Sequence, residues 1–260
     1  MTTLAHTLTD SRTMLRRQLL HLKRYPSLTF FLVGLPVIFL LLFVYVFGGT
    51  LGAGLGGDRS DYLNYLTPGI LLFTVAGAAA GPAISVATDM TEGIVDRFRS
   101  MAIARGALLT GHVLGSMVQN VLAILAVLGV ALLIGFRPNA TPVEWLATFG
   151  VLMATAFALT WFAVALGMVA DSVETASNTP MFLSLLPFLG SGFVPTETMP
   201  AGLRFFAEHQ PFTPIIETLR GLLLGTGIGN SAVVALAWCA GIALLSYLWA
   251  KRKYNQRATR

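Results

Sequence analysis

The chain has 260 residues, 55% of them hydrophobic and only 11% charged, with a mean hydropathy of +0.73. An average soluble domain carries roughly 25% charged residues, so the composition excludes a soluble globular protein. The net charge of +5 does not call for nucleic acid as a partner, because the basic residues sit at the edges of apolar runs, where membrane topology and attraction to anionic lipid account for them.

In chain order, the first element expected is a helix within residues 1–27. Leu4, Leu8, Leu15, Leu19 and Leu22 fall near one face, and Arg12, Arg16 and Lys23 fall on another. That pattern suits a cytoplasmic amphipathic helix resting on membrane lipid and turning upward at Tyr25 and Pro26; a polar leader that only obeys the positive-inside rule is the simpler alternative.

Six windows without Asp, Glu, Lys or Arg follow, each longer than the roughly 20 residues that cross about 30 Å of hydrocarbon. They place transmembrane helices at 28–47, 68–88, 107–135, 145–170, 176–195 and 231–250, an all-α integral membrane fold. Segments of about ten alternating residues, which a membrane barrel would show, are not seen. The whole chain, 1–260, reads as one transmembrane domain: the leader, a six-span bundle over 28–250 and a basic tail over 251–260. Tyr62, Tyr65, Trp145, Phe205 and Phe206 read as aromatic belt anchors.

With the N-terminus inside, thirteen Lys and Arg face the cytoplasm against four outside, Arg59, Arg137, Arg204 and Arg220. Both termini are therefore expected to be cytoplasmic in the cell (inner or plasma) membrane. The same orientation makes Thr91 to Gly106 a cytoplasmic loop. Ile94, Val95, Phe98 and Met101 form an apolar stripe there, while Glu92, Asp96 and Arg99 face elsewhere. Such a helix rests on lipid or docks into a partner protein.

Outside, Ser191 to Gly225 is cut by Pro195, Pro200, Pro211 and Pro214 into two short helical pieces, Ala201 to His209 and Thr213 to Leu224, neither long enough to span. In the second, Glu217 and Arg220 are spaced i, i+3. An extracellular re-entrant hairpin is the expected form, tolerated where protein covers its backbone.

Several kinds of chemistry have no residues to support them. None of the three lysines follows a glycine, so there is no P-loop, and the four histidines and single cysteine show no metal-ligand spacing. No catalytic, cofactor-binding or metal site is expected. The span interiors carry no ionisable group except His112 near one end, which removes the usual handle for an ion-driven carrier. Uncharged polar residues do occur in the spans: Gln119, Asn120, Thr155, Thr160, Asn178, Thr179 and Ser184. Helix-to-helix hydrogen bonds are one use for them, and lining a translocation pathway is the other, with Gln119, Asn120, Thr155, Asn178 and Ser184 the candidates.

Two segments, in order around six spans, resemble a known family. The run from Glu92 to Arg105 resembles the cytoplasmic coupling helix of type-two ABC exporter permeases, in particular their daunorubicin-resistance-like branch of drug and lipid exporters. Pro195 to Gly225, with Met199-Pro200, Gln210-Pro211-Phe212-Thr213 and Glu217-Thr218-Leu219-Arg220-Gly221, is similar to that family's extracellular hairpin. Ala102 stands where the family often has proline. The resemblance implies that Glu92, Gly93, Ile94, Asp96, Arg97, Phe98, Arg99 and Met101 dock on a separate ABC ATPase subunit, which holds ATP and Mg. It implies a hairpin built on Pro200, Pro211, Thr213, Glu217 and Arg220, and a second permease chain, identical or not. The cargo implied is a hydrophobic or amphiphilic compound, drug-like or lipid-like; a polysaccharide exporter of the same superfamily is the alternative, with a carrier, sensor or scaffold the reading from outside it.

Overall fold

The computed structural model describes residues 26–92 and 107–257, and every described element is helical or an irregular connection. Helix α1 (Pro26–Leu41) begins on a proline, whose missing N–H is not needed in a first turn. It passes through a wider π-helical stretch, Leu42–Phe47, into α2 (Gly48–Gly54). A reciprocal cap starts α3 (Arg59–Gly77): Asp58 accepts from the Ser60 and Asp61 amides at 2.6 and 3.1 Å, and Asp61 accepts from the Asp58 amide at 2.9 Å. The Ser60 hydroxyl, followed by those two amides, holds the Asp58 carboxyl below its ordinary pKa.

Helix α4 (Ala80–Thr91) continues α3 after a short break. Pro82 has no N–H to give the Ala78 carbonyl, which takes the Gly81 amide instead at 3.3 Å. Next come α5 (Ala107–Leu133), α6 (Pro142–Val169) behind a Thr141/Glu144 capping box, and α7 (Val173–Leu185) capped by Ser172. A 3₁₀ turn, Leu186–Leu189, extends α7; after it the chain leaves the helix at Gly190. The segment that follows holds α8 (Ala201–His209) and α9 (Phe212–Leu224), and α9 ends on Gly225 at φ +72°, a left-handed cap that suits glycine. The last helix is α10 (Ser231–Arg257).

Among the described residues, five segments are long and apolar enough to cross a membrane: Phe30–Gly54, Arg59–Thr91, Gly111–Leu133, Pro142–Val169 and Ser231–Lys253. They match five of the expected spans. The second begins at Arg59 rather than 68, because an exposed cap starts the helix there and Tyr62, Leu63 and Leu66 are buried instead of lying in a loop. Tyr62, 1% exposed, consequently lies in the core rather than in an aromatic belt. The segment expected to span at 176–195 is interrupted: Pro187, Gly190, Gly192 and Pro195 stop regular helix after Leu189.

The α3–α4 path is the most enclosed, with 72% of its apolar window buried, against 17% for α1–α2 and for α10. Around it, α6 packs on α4 and α10, α7 packs on α3 and α4, and α9 sits among α3, α6 and α10. Small residues permit the closest crossing: a Cβ on Gly167 of α6 would lie 2.5 Å from the Ala83 carbonyl oxygen of α4. Outward-facing residues are large and apolar, among them Phe30, Phe31 and Ile38 on α1, Leu122 and Leu125 on α5, and Leu244, Leu245 and Leu248 on α10. So much contiguous apolar surface belongs in lipid or against another chain. The chain is a multi-pass membrane protein.

Candidate functional site

At the end of the bundle opposite Glu92, the segment of chain leaving α7 is tied to α3 and α9. Gly69 of α3 and Gly192 meet backbone to backbone; a Cβ on Gly69 would lie 2.5 Å from the Gly192 oxygen. One turn away, the Ser191 carbonyl accepts from the Tyr65 hydroxyl at 2.9 Å and from Arg220 Nη2 at 2.6 Å. The same nitrogen donates to the Tyr65 carbonyl at 3.3 Å, and the guanidinium lies 3.8 Å from the centre of the Tyr65 ring. A guanidinium over an aromatic face gains cation–π attraction while its Nη2 gives the Ser191 carbonyl a second donor. Tyr62 donates to the Phe193 carbonyl at 3.2 Å. Phe188 and Phe193 stack at 4.0 Å, and Phe39, Phe43 and Phe73 close the cluster from α1 and α3.

The hairpin residues join this latch in part. Thr213 is buried, donates to the Ala207 carbonyl and accepts from the Ser191 amide at 3.3 Å, so Thr213 and Arg220 meet at Ser191. Gln210 Nε2 donates to the Leu186 carbonyl at 3.0 Å. Glu217 is turned instead to the start of α10, where it accepts from the Ser231 hydroxyl at 2.9 Å. Pro211 immediately precedes α9; Pro200, exposed, precedes α8. Helix α8 buries little beyond Ala207, exposes Phe205 and Phe206, and carries an Arg204–Glu208 pair at 2.7 Å that holds the guanidinium proton more firmly than usual.

The five pathway candidates are not brought together. Asn178 is exposed on α7, along a face continued by Phe182, Leu185 and Leu189. Ser184 on the same helix bonds back to the Met181 carbonyl at 2.7 Å. Thr155 is buried, bonded to the Val151 carbonyl at 2.9 Å and 3.4 Å from Cys239 Sγ on α10. Asn120 is buried with its amide on the Ser116 carbonyl at 3.0 Å, and Gln119 is half-buried. Most span hydroxyls therefore bond their own helix, as Thr67, Thr74 and Thr218 also do; Ser116 to Thr160, at 3.3 Å, is a bond between helices.

At the other end of the bundle, Glu92 is exposed just past α4. Gly93, Ile94, Asp96, Arg97, Phe98, Arg99 and Met101 lie outside the described residues, as does the leader helix. Tyr65, Ser191 and Gln210 were not singled out by sequence as a joint. A signal was present in Gly190-Ser191-Gly192, since paired glycines in an apolar run mark close backbone approach.

An enclosed two-part helix, a ring of apolar helices and the short helix α9, latched by a half-buried guanidinium, define a membrane-embedded helical bundle. The sequence matches the ABC-2 type transporter family over residues 9–224, and the chain belongs to that family. It is 30% identical over 246 residues to the daunorubicin resistance ABC transporter permease protein DrrB1 of Streptomyces coeruleorubidus, covering 94% of this chain and 86% of that one. A probable doxorubicin resistance ABC transporter permease protein, DrrC of Mycobacterium tuberculosis, is 21% identical over 211 residues, 81% of this chain and 75% of that one. ABC transporter G family member 20 of Dictyostelium discoideum is 25% identical over 200 residues, which are 74% of this chain and 26% of that much longer one. The protein is a permease subunit of an ABC transporter.

Proposed function

We propose that this chain forms half of the membrane pathway of an ATP-driven exporter for flat or amphiphilic drug-like compounds such as daunorubicin. The observation that carries the reading is the family match together with the daunorubicin resistance for which the relative similar along nearly the whole chain is named. The exposed apolar residues of α1, and Met181, Phe182 and Leu185 toward the end of α7, support an amphiphilic cargo, because they offer it the same solvent as the lipid it leaves.

On this reading two permease chains and two ABC ATPase subunits assemble, with ATP and Mg held on the ATPases. The exposed faces of α1 and α7 meet the second permease chain or the cargo. Both termini are cytoplasmic, in agreement with the thirteen-to-four division of Lys and Arg. A sixth crossing is made by α7 and its 3₁₀ turn: thirteen residues at ~1.5 Å and four at ~2.0 Å rise about 27 Å, close to the hydrocarbon thickness. The segment Ser191 to Gly225 then dips into the outer leaflet as a re-entrant hairpin, a form favoured by the burial of Phe212, Ile216, Leu219 and Leu223.

ATP binding draws the ATPases together. Their movement is received by Glu92, Asp96, Arg97 and Arg99, which orient the contact, and by Ile94, Phe98 and Met101, which pack. The displacement passes into α4 and α5 at either end of the loop and opens the route between the permease halves, with the latch at Ser191 closing its outer side. Cells expressing the chain with its ATPase should retain less daunorubicin than cells expressing either alone. Equal retention in all three would refute the drug-export reading.

A further inference from the structure

A buried ionisable pair sits apart from the outer latch. Asp89 lies in the last turn of α4 and His112 in the second turn of α5, 3% and 4% exposed, with His112 Nε2 and Asp89 Oδ2 at 2.9 Å. These are the helices that residues 93–106 connect. On its other sides α4 is packed extensively against α6 and α7, whereas it touches α5 only over a short length. Close by in sequence, Val86, Met90 and Val113 belong to a separate apolar cluster with Trp161, Val164 and Met168.

Stability alone does not require charge in this place, since well-packed apolar residues commonly replace a buried ion pair at no loss. What an apolar contact lacks is direction: two greasy surfaces slide, whereas a buried hydrogen-bonded pair cannot be sheared without stranding a charged or polar group. We propose that Asp89 and His112 are positioning residues that tie α4 to α5, so that a displacement of the cytoplasmic connection moves both helices as one body. The inference rests on the reading of 93–106 as the segment that receives ATPase movement.

The test uses the complex purified with its native ATPase subunit, in a Cys239→Ala background, with spin labels on cysteines at the exposed positions Thr91 of α4, Val118 of α5 and Lys251 of α10. In the otherwise wild-type complex, ATP should shift the Thr91–Lys251 and Val118–Lys251 distances together and leave Thr91–Val118 unchanged. The double variant Asp89→Leu/His112→Leu should assemble, hydrolyse ATP and keep the Thr91–Lys251 shift, yet lose the Val118–Lys251 shift. The exchange Asp89→His/His112→Asp should restore it. A double-leucine complex that keeps the Val118–Lys251 shift would overturn the proposal, as would an exchange variant that assembles without regaining it. Failure of the double-leucine variant to assemble would also overturn it, by making the pair a folding element. If the unmodified complex contained no ATPase, or showed no ATP-dependent shift at either pair, the exporter reading itself would fall.

Discussion

Replacing Gly69 by alanine puts a methyl group 2.5 Å from the Gly192 carbonyl oxygen and 2.8 Å from its Cα, both backbone atoms that cannot rotate away. Ordinary contact begins at 3.4 Å, so the segment after α7 must move by about 0.9 Å from α3. The same displacement would stretch the Tyr65 hydroxyl's bond to the Ser191 carbonyl from 2.9 Å to about 3.8 Å, beyond hydrogen-bonding range. Overpacking of this kind costs about 1–3 kcal/mol, and the lost hydrogen bond lies within the same order. Against this, alanine restricts the unfolded chain and returns about 0.4–1 kcal/mol, so steric strain wins. Gly77, on the same helix, has nothing within 4 Å of its added Cβ and keeps only the favourable term. Thermal unfolding of the purified protein in detergent should therefore rank Gly77→Ala at or above wild type and Gly69→Ala below it, by roughly 2–4 °C per kcal/mol. Equal midpoints for the two variants would refute the backbone contact as a determinant of the outer joint.

Tyr65→Phe should keep the ring beneath Arg220 and lose only the bond to Ser191, costing about 0.5–1.5 kcal/mol in the same assay, whereas Arg220→Met removes the charged hydrogen bond to Ser191 together with the contact on the Tyr65 ring and should cost about 1.5–3 kcal/mol. Reversing Asp96 or Arg99 singly should reduce drug efflux while leaving the amount of membrane-inserted protein unchanged, measured by immunoblot of washed membranes. Thr155→Val should lower the unfolding midpoint with little effect on efflux, since Thr155 is buried against α10. Asn178→Leu should do the opposite, because Asn178 is exposed on α7.

Charge-free windows located five of the spans because a hydrocarbon solvent leaves few alternatives to a long apolar helix. Prolines 200 and 211 likewise fixed the two outer helices to within a residue of Ala201–His209 and Phe212–Leu224. Hydropathy failed at the ends. The stretch Arg59 to Tyr65 reads as polar loop, yet a local cap and distant burial draw it into α3; tertiary contacts with Ser191 and Phe193, more than 120 positions away, carry no local signal. The same limit hid the Asp89–His112 pair: the expected span stops at 88, one residue short of the aspartate, because nothing local shows that α4 continues past it. Polar span residues were legible by type but not by direction, and Asn178 and Thr155 turn opposite ways.

The central claim is that this permease works through a separate ATPase docked on its cytoplasmic loop. Gentle-detergent purification of the tagged chain from its native host, followed by mass spectrometry of what stays bound, tests it most directly. The account predicts an ABC ATPase subunit that is recovered with the wild-type chain and lost when Asp96 and Arg99 are reversed together. Recovery of the chain without such a subunit in several detergents, or recovery undiminished by the double reversal, would contradict it.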